Sequence, residues 1–166
     1  METNNIFDTA GICGVYCKSC TLYIGSKYDP KRLEFLASRL NLTVEDLYCE
    51  GCRSDKKSIL CRNCTFIKCA KEKNVKFCSE CSEFKCNEII AFQIEKPHRA
   101  ELWDSCRIQK EETIEFWEQQ MTALYKCPEC STINSAYDLK CRNCSNTPSN
   151  KFTEIHSDLI LKHLSK

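Results

Sequence analysis

The chain has 166 residues, 16 of them cysteine, and a formal net charge of +1 at pH 7. That length allows one compact domain, or a small domain with an appendage, and excludes a large catalytic barrel or a doubly wound sheet. With fifteen cysteines as thiolates around four zinc ions the charge becomes about −6, which argues against general nucleic-acid binding because that requires surplus positive charge.

So many cysteines in so short a chain must be stapled by disulfides or by metal, and the redox compartment decides between them. Met1–Ala10 (METNNIFDTA) carries no basic region followed by an apolar run, and no stretch approaches the length needed to span a bilayer. The expectation is a cytoplasmic protein with reduced thiols and no membrane association.

In chain order, GICGVYCKSC over Gly11–Cys20 opens the first cysteine cluster. Asp29-Pro30 then starts a helix whose apolar face is Leu33, Leu36, Ala37 and Leu40. Thr43 caps a second, short helix. Cys49 to Cys86 holds eight cysteines in 38 residues, with Cys61/Cys64/Cys69 echoed by Cys78/Cys81/Cys86 as Cys-x2-Cys-x4-Cys. A short helix is predicted over 65–73 between the two triplets. Beyond them, 87–95 and 98–124 read as helices separated by Pro97. Leu102, Cys106, Ile114, Trp117, Met121 and Leu124 are placed to cover the cysteine-rich core, with Cys106 a buried small hydrophobe rather than a ligand. After a four-cysteine unit, a polar stretch leads to a terminal helix with Ile155, Leu159, Ile160 and Leu164 on its apolar face. The expected fold is a small metal-stapled α+β arrangement of irregular cysteine knuckles, short helices, one longer helix and a C-terminal zinc ribbon. Its expected divisions are a cysteine-rich metal-binding domain over 1–96, a helix packed on it over 97–124, the ribbon over 125–148 and a tail over 149–166.

Six cysteine pairs are separated by two residues: Cys17/Cys20, Cys49/Cys52, Cys61/Cys64, Cys78/Cys81, Cys127/Cys130 and Cys141/Cys144. Two thiolates at that spacing in a tight turn can face one tetrahedral ion, which reads as metal half-sites rather than a disulfide framework. Cys127, Cys130, Cys141 and Cys144 form the clearest site, a shell closed by sulfur and therefore structural, since a catalytic zinc keeps a position open. Its spacing is similar to the small zinc finger of Ran-binding proteins, but the RNA- and ubiquitin-reading side chains of those fingers are missing. Only the four ligands carry over.

In the body, Cys49, Cys52, Cys61 and Cys64 can share one ion and Cys69, Cys78, Cys81 and Cys86 another, although interleaved partitions fit the spacing equally well. Cys13, Cys17 and Cys20 remain. Their spacing matches the triplet by which radical enzymes using S-adenosylmethionine hold an iron–sulfur cluster, but those enzymes are far larger than this chain. A three-sulfur site completed by His98, a carboxylate or water is the alternative, and it is the place for reactivity. His156 and His163 read as solvated, and no histidine stands in a recognisable catalytic pattern. Lys56-Lys57 and the lysines of 71–76 read as a solvated face that offsets thiolate charge.

Taken together, CGVYCKSC at Cys13–Cys20, CEGCRS at Cys49–Ser54 and CRNCTFIKCAKEKNVKFCSECSEFKC at Cys61–Cys86 resemble a bacterial and archaeal cysteine-rich family, domain of unknown function 3795. HRAEL at His98, FWEQQ around Trp117 and the CPEC knuckle extend the likeness, and Cys106 lies outside the pattern. The resemblance implies a zinc-binding or similar metal-binding fold with no assigned reaction. The functional expectation is a non-catalytic zinc protein that presents a surface to an unidentified protein partner. The alternative is an iron–sulfur or labile-metal protein that uses Cys13, Cys17 and Cys20.

Overall fold

The computed structural model describes residues 5–166, so the first four residues of the stretch read above for a leader lie outside the described residues. The described residues form ten α-helices joined by loops and three short 3-10 turns. The helices are α1 (Ile6–Thr9), α2 (Thr21–Lys27), α3 (Pro30–Leu40), α4 (Val44–Leu47), α5 (Ile59–Arg62), α6 (Thr65–Glu72), α7 (Asn87–Glu95), α8 (Leu102–Glu111), α9 (Ile114–Tyr125) and α10 (Lys151–Leu164).

The expected α+β class is therefore wrong. Pairing among the described residues is confined to two isolated antiparallel bridges, Ala10 with Tyr16 and Lys126 with Ile133, and no sheet forms. Each bridge closes a loop that carries a cysteine, and the chain turns away again before a ladder of useful length can build. Where the spacing between cysteines is longer, the chain takes up helix instead. No helix among the described residues is long and apolar enough to cross a membrane.

Local signals set several helix ends. Asp29 accepts from the Arg32 N–H at 3.3 Å ahead of Pro30, and Asn41 closes α3 in the left-handed region at φ 54°. Thr43 and Asp46 cap α4 reciprocally. Cys20, Cys64 and Cys86 stand at the N-caps of α2, α6 and α7, so three knuckles lead directly into helices.

Two helical readings need correction. The segment 98–124 is not one helix: it breaks after Glu111, and Thr113 restarts it by accepting from the Phe116 N–H at 3.2 Å. The break folds α9 back on α8, so that the Trp117 Nε1–H donates to Ser105 Oγ at 2.8 Å. On α10 only Ile160 of the four expected apolar residues is buried, and Ile155, Leu159 and Leu164 are 53%, 46% and 55% exposed. Phe152 and Thr153 anchor this helix instead, and non-helical torsions at His156 (φ −114°, ψ 18°) interrupt its periodicity.

The main core is a run of aromatic rings. Trp117 meets Tyr16 edge-on at 5.6 Å, Tyr16 stacks on Tyr125 at 6.0 Å, and Tyr125 stacks on Phe152 at 5.3 Å. Tyr16 lies between Cys13 and Cys17, and Tyr125 lies two residues before Cys127, so the ladder joins the first knuckle to the C-terminal unit. Arg32 adds a polar tie, with Nη1 3.0 Å from Asp138 Oδ2. Smaller clusters collect around Leu33 and Leu47, and around Ile89, Leu102 and Cys106.

Trp117 is fully buried at one end of the ladder and also satisfies Ser105, which in turn donates to the Gly14 carbonyl at 2.5 Å. Trp117→Ala is expected to cost about 3–5 kcal/mol, read as a lowered urea midpoint of the metal-loaded protein.

Candidate metal centre

The C-terminal site is built from two knuckles with the same backbone geometry. In CPECS, Cys127 N–H donates to the Thr132 carbonyl at 2.9 Å and Ser131 N–H returns to the Cys127 carbonyl at 3.0 Å. In CRNCS, Cys141 N–H donates to the Asn146 carbonyl at 2.8 Å and Ser145 N–H returns to Cys141 at 3.0 Å. Ser131 (φ 59°) and Ser145 (φ 66°) both sit in the left-handed region, which turns each strand of the loop sharply after its second cysteine.

The two knuckles face each other, with Cys127 and Cys144 sulfurs 3.6 Å apart and Cys130 and Cys141 also 3.6 Å apart. All four Sγ atoms lie within 4.8 Å of one another. A tetrahedron with zinc–sulfur bonds of about 2.3 Å has sulfur–sulfur edges of about 3.8 Å, so the spacing fits a four-sulfur ion site.

Asn134 ties this arrangement together from a fully buried position. Its Nδ2 donates toward Cys141 Sγ at 3.4 Å, the Thr132 carbonyl at 3.0 Å and the Ser149 carbonyl at 3.2 Å, while its Oδ1 accepts from Arg142 N–H at 3.0 Å. Cysteine spacing does not point to Asn134, which lies four residues after Cys130. Its distance from Cys141 along the chain hides the sulfur contact.

The four thiols do not share charge evenly. Hydrogen bonds from Thr132 and Asn143 pull Cys130 down to about 5. At Cys144 the Asn146 N–H favours the thiolate, but desolvation and the sulfurs of Cys130, Cys127 and Cys141 outweigh it and push the thiol up to about 12. Like charges this close cannot all form unaided, and a divalent cation supplies the compensation.

The other eleven sequence-predicted ligands are gathered in the body, and their sulfurs do not form a comparably closed shell. Among the described residues, the C-terminal four are the one group of three or more potential ligands with all ligand atoms within 4.8 Å. Cys69, Cys78, Cys81 and Cys86 together line a single cavity of about 30 Å³, with Phe66, Phe84 and Ile89 as its apolar wall. Burial drives Cys78 up to about 12, and the charges adding to the effect are Cys69, Cys86, Cys64 and Cys81.

Cys13, Cys17 and Cys20 are not a separate triplet. Burial raises all three thiols, Cys13 and Cys17 well above the ordinary range. The neighbouring charges are those of Cys52, Cys64 and Cys78 at Cys13, Cys52, Cys20 and Cys49 at Cys17, and Cys49 at Cys20. Cys61, raised to about 12 by burial, faces Cys20, Cys49, Cys64 and Cys52. Cys13, Cys17, Cys20, Cys49, Cys52, Cys61 and Cys64 thus adjoin one another as a nest of seven, which Cys78 borders through Cys13 and Cys64. Gly51 enters it at φ +117°, where a β-carbon would lie 2.2 Å from the Asp8 carbonyl oxygen, so the 49–52 knuckle can close on α1 only with glycine there.

His98 Nδ1 lies 2.6 Å from Tyr137 Oη, and His98 is in no group of three or more potential ligands within 4.8 Å of one another among the described residues. Burial lowers its pKa to about 4 and keeps it neutral. His156 and His163 are not free in solvent either: His156 Nε2 is 2.5 Å from Glu101 Oε1, and the His163 ring lies 5.8 Å from that of Tyr137. Cys106 is fully buried beneath Gly14, whose absent β-carbon would sit 2.5 Å from its sulfur. Its Sγ–H donates to the Cys13 carbonyl at 3.5 Å, so it supports the nest's backbone.

The family model described as a protein of unknown function, DUF3795, matches residues 9–91, half of the chain. The chain belongs to the DUF3795 family. The match spans the seven-cysteine nest and the Cys69/Cys78/Cys81/Cys86 cavity and stops before the C-terminal four-cysteine unit. No curated protein and no solved structure matches the chain. In this DUF3795 protein, then, the four-cysteine unit lies outside the matched segment and is joined to it by the aromatic ladder.

Asn134→Ala leaves the Arg142 N–H and two carbonyls without their partner in a buried site. It is expected to cost about 2–4 kcal/mol and to speed metal release from the C-terminal site, measured by transfer to a chromogenic chelator.

Proposed function

We propose that this DUF3795 protein is a non-catalytic, zinc-scaffolded interaction module of the cytoplasm, whose helical surface is presented to a protein partner. The observation that carries this reading is the C-terminal shell, in which four cysteine sulfurs lie within 4.8 Å and every position is taken by sulfur. An all-thiolate tetrahedral shell suits zinc, and a closed shell leaves no coordination position for substrate or water. Cys127, Cys130, Cys141 and Cys144 would hold one ion, and Cys69, Cys78, Cys81 and Cys86 would hold another around their shared cavity.

The seven-cysteine nest has a count that suits two ions. Two four-coordinate ions that share one bridging thiolate need seven sulfurs, and Cys52 faces Cys13, Cys17 and Cys61 at once. Burial raises the Cys52 thiol, and Arg53 and Lys57 beside it oppose that rise in part, so these basic residues offset sulfur charge. The same nest supports a second reading as an iron–sulfur or labile-metal centre, because it concentrates more thiols than one ion requires.

Elemental analysis of protein purified without air is expected to give about four zinc ions per chain, with a colourless solution. Bound iron with sulfide and broad visible absorption would move the nest to the second reading. Metal removal by a strong chelator is expected to abolish most of the helical circular dichroism, because the ions stand in for a core. Retention of full structure without metal would overturn the scaffold reading.

A further inference from the structure

The C-terminal half of α10 and the end of α7 enclose an open cleft of about 560 Å³ that neither the cysteine clusters nor the aromatic ladder uses. One wall is the strip Leu159, Lys162 and His163, spaced i, i+3 and i+4 along α10, with Lys166 just past the helix end. The opposite wall carries Ile94 and Lys96.

The charge of this cleft is one-sided. Its acidic neighbours are already engaged, Glu95 with Arg99 at 2.9 Å and Glu101 with His156 at 2.5 Å. Lys96, Lys162 and Lys166 have no carboxylate within ion-pairing distance among the described residues. The dipole of α10 explains basic residues in its last turn. It does not explain Lys96 across the gap, nor Ile94, which is 74% exposed at the rim with Leu159 46% exposed facing the same space.

The shape is elongated. Leu159 to Leu164 covers about 7.5 Å of helix at ~1.5 Å per residue, which matches two to three residues of extended chain at ~3.3 Å each, and Lys166 carries the strip past the helix end. Carboxylates spaced along such a segment meet the lysines, and an apolar side chain between them covers the two exposed aliphatic residues. Lys57 differs in this respect, since it stands with Arg53 beside the Cys52 sulfur.

We propose that this cleft is the docking groove for an extended acidic segment of the partner protein, with its carboxylates on Lys96, Lys162 and Lys166 and an apolar side chain on Ile94 and Leu159. The assignment deepens the reading of the protein as an interaction module and rests on it. Recognition of this kind gains on-rate and specificity from the lysines and residence time from the apolar contact.

The test uses the full metal-loaded chain and a fluorescein-labelled hexapeptide of alternating glutamate and leucine, followed by fluorescence anisotropy. Saturable binding is expected, with none to the same peptide carrying glutamine for glutamate. The double variant Lys162→Glu/Lys166→Glu is expected to weaken binding at least about tenfold, and Ile94→Ser about threefold or more. Lys31→Glu, on the exposed side of α3, is expected to leave it unchanged. Metal content of each variant is measured alongside, so that a fold defect is recognised by lost zinc.

Zinc-loaded protein that fails to bind, or binding that survives the cleft variants, overturns the groove while leaving the scaffold reading standing. Tighter binding of a short oligouridylate than of the acidic peptide also overturns it. A chelated chain that remains folded and still binds would retain the groove and remove the scaffold.

Discussion

Crowded thiols are the constraint on which this structure depends. Four of the sixteen cysteines close on one another at the C-terminal site and eleven crowd the body, where a sulfur meets the charge of several others. Neutral thiols are poor hydrogen-bonding groups and add little cohesion, and several thiolates together in a desolvated site repel one another. Burial raises Cys13, Cys17, Cys61 and Cys78, so the chain alone resists ionising them. A cation reverses that balance by rewarding each lost proton with a bond.

The surrounding architecture is organised to bring sulfur-bearing turns together. Three knuckle cysteines start helices, Gly14 and Gly51 allow backbones to approach where a β-carbon would collide, and Asn134 binds one knuckle to the next. The Trp117–Tyr16–Tyr125–Phe152 ladder supplies the largest continuous apolar contact and spans from the N-terminal knuckle to α10. Two kinds of cohesion are therefore interleaved: aromatic stacking through the centre, and thiol clusters around it. The surface left over is helical, and the cleft beside α10 carries lysines whose charge is not answered by an ion pair among the described residues.

Much of the site could be read from spacing, because two cysteines separated by two residues are neighbours whatever the rest of the chain does. The C-terminal four are of this kind: two such pairs at short separation meet as soon as one turn closes. Helix starts at Asp29-Pro30 and Thr43 were legible for the same reason, since a cap acts within one turn. The break at Thr113 carried a local signal too, but it lay inside a helical apolar pattern that spoke for continuity. The α+β expectation failed because loops closed by cysteines look like strand turns in sequence, whereas here each yields at most a single bridge.

Residue order settled which cysteines lie two residues apart and where the capped helices begin, because each of these rests on contacts made within a few positions of the chain. It left undecided how the pairs combine. The union of Cys13, Cys17 and Cys20 with the 49–64 cysteines, the contact of His98 with Tyr137 and of His156 with Glu101, and the reach of Asn134 to Cys141 all join residues that spacing does not relate. Such contacts follow from how helices and knuckles pack in three dimensions, where the burial of Tyr16, Trp117 and Phe152 fixes the relative placement of segments far apart in the chain.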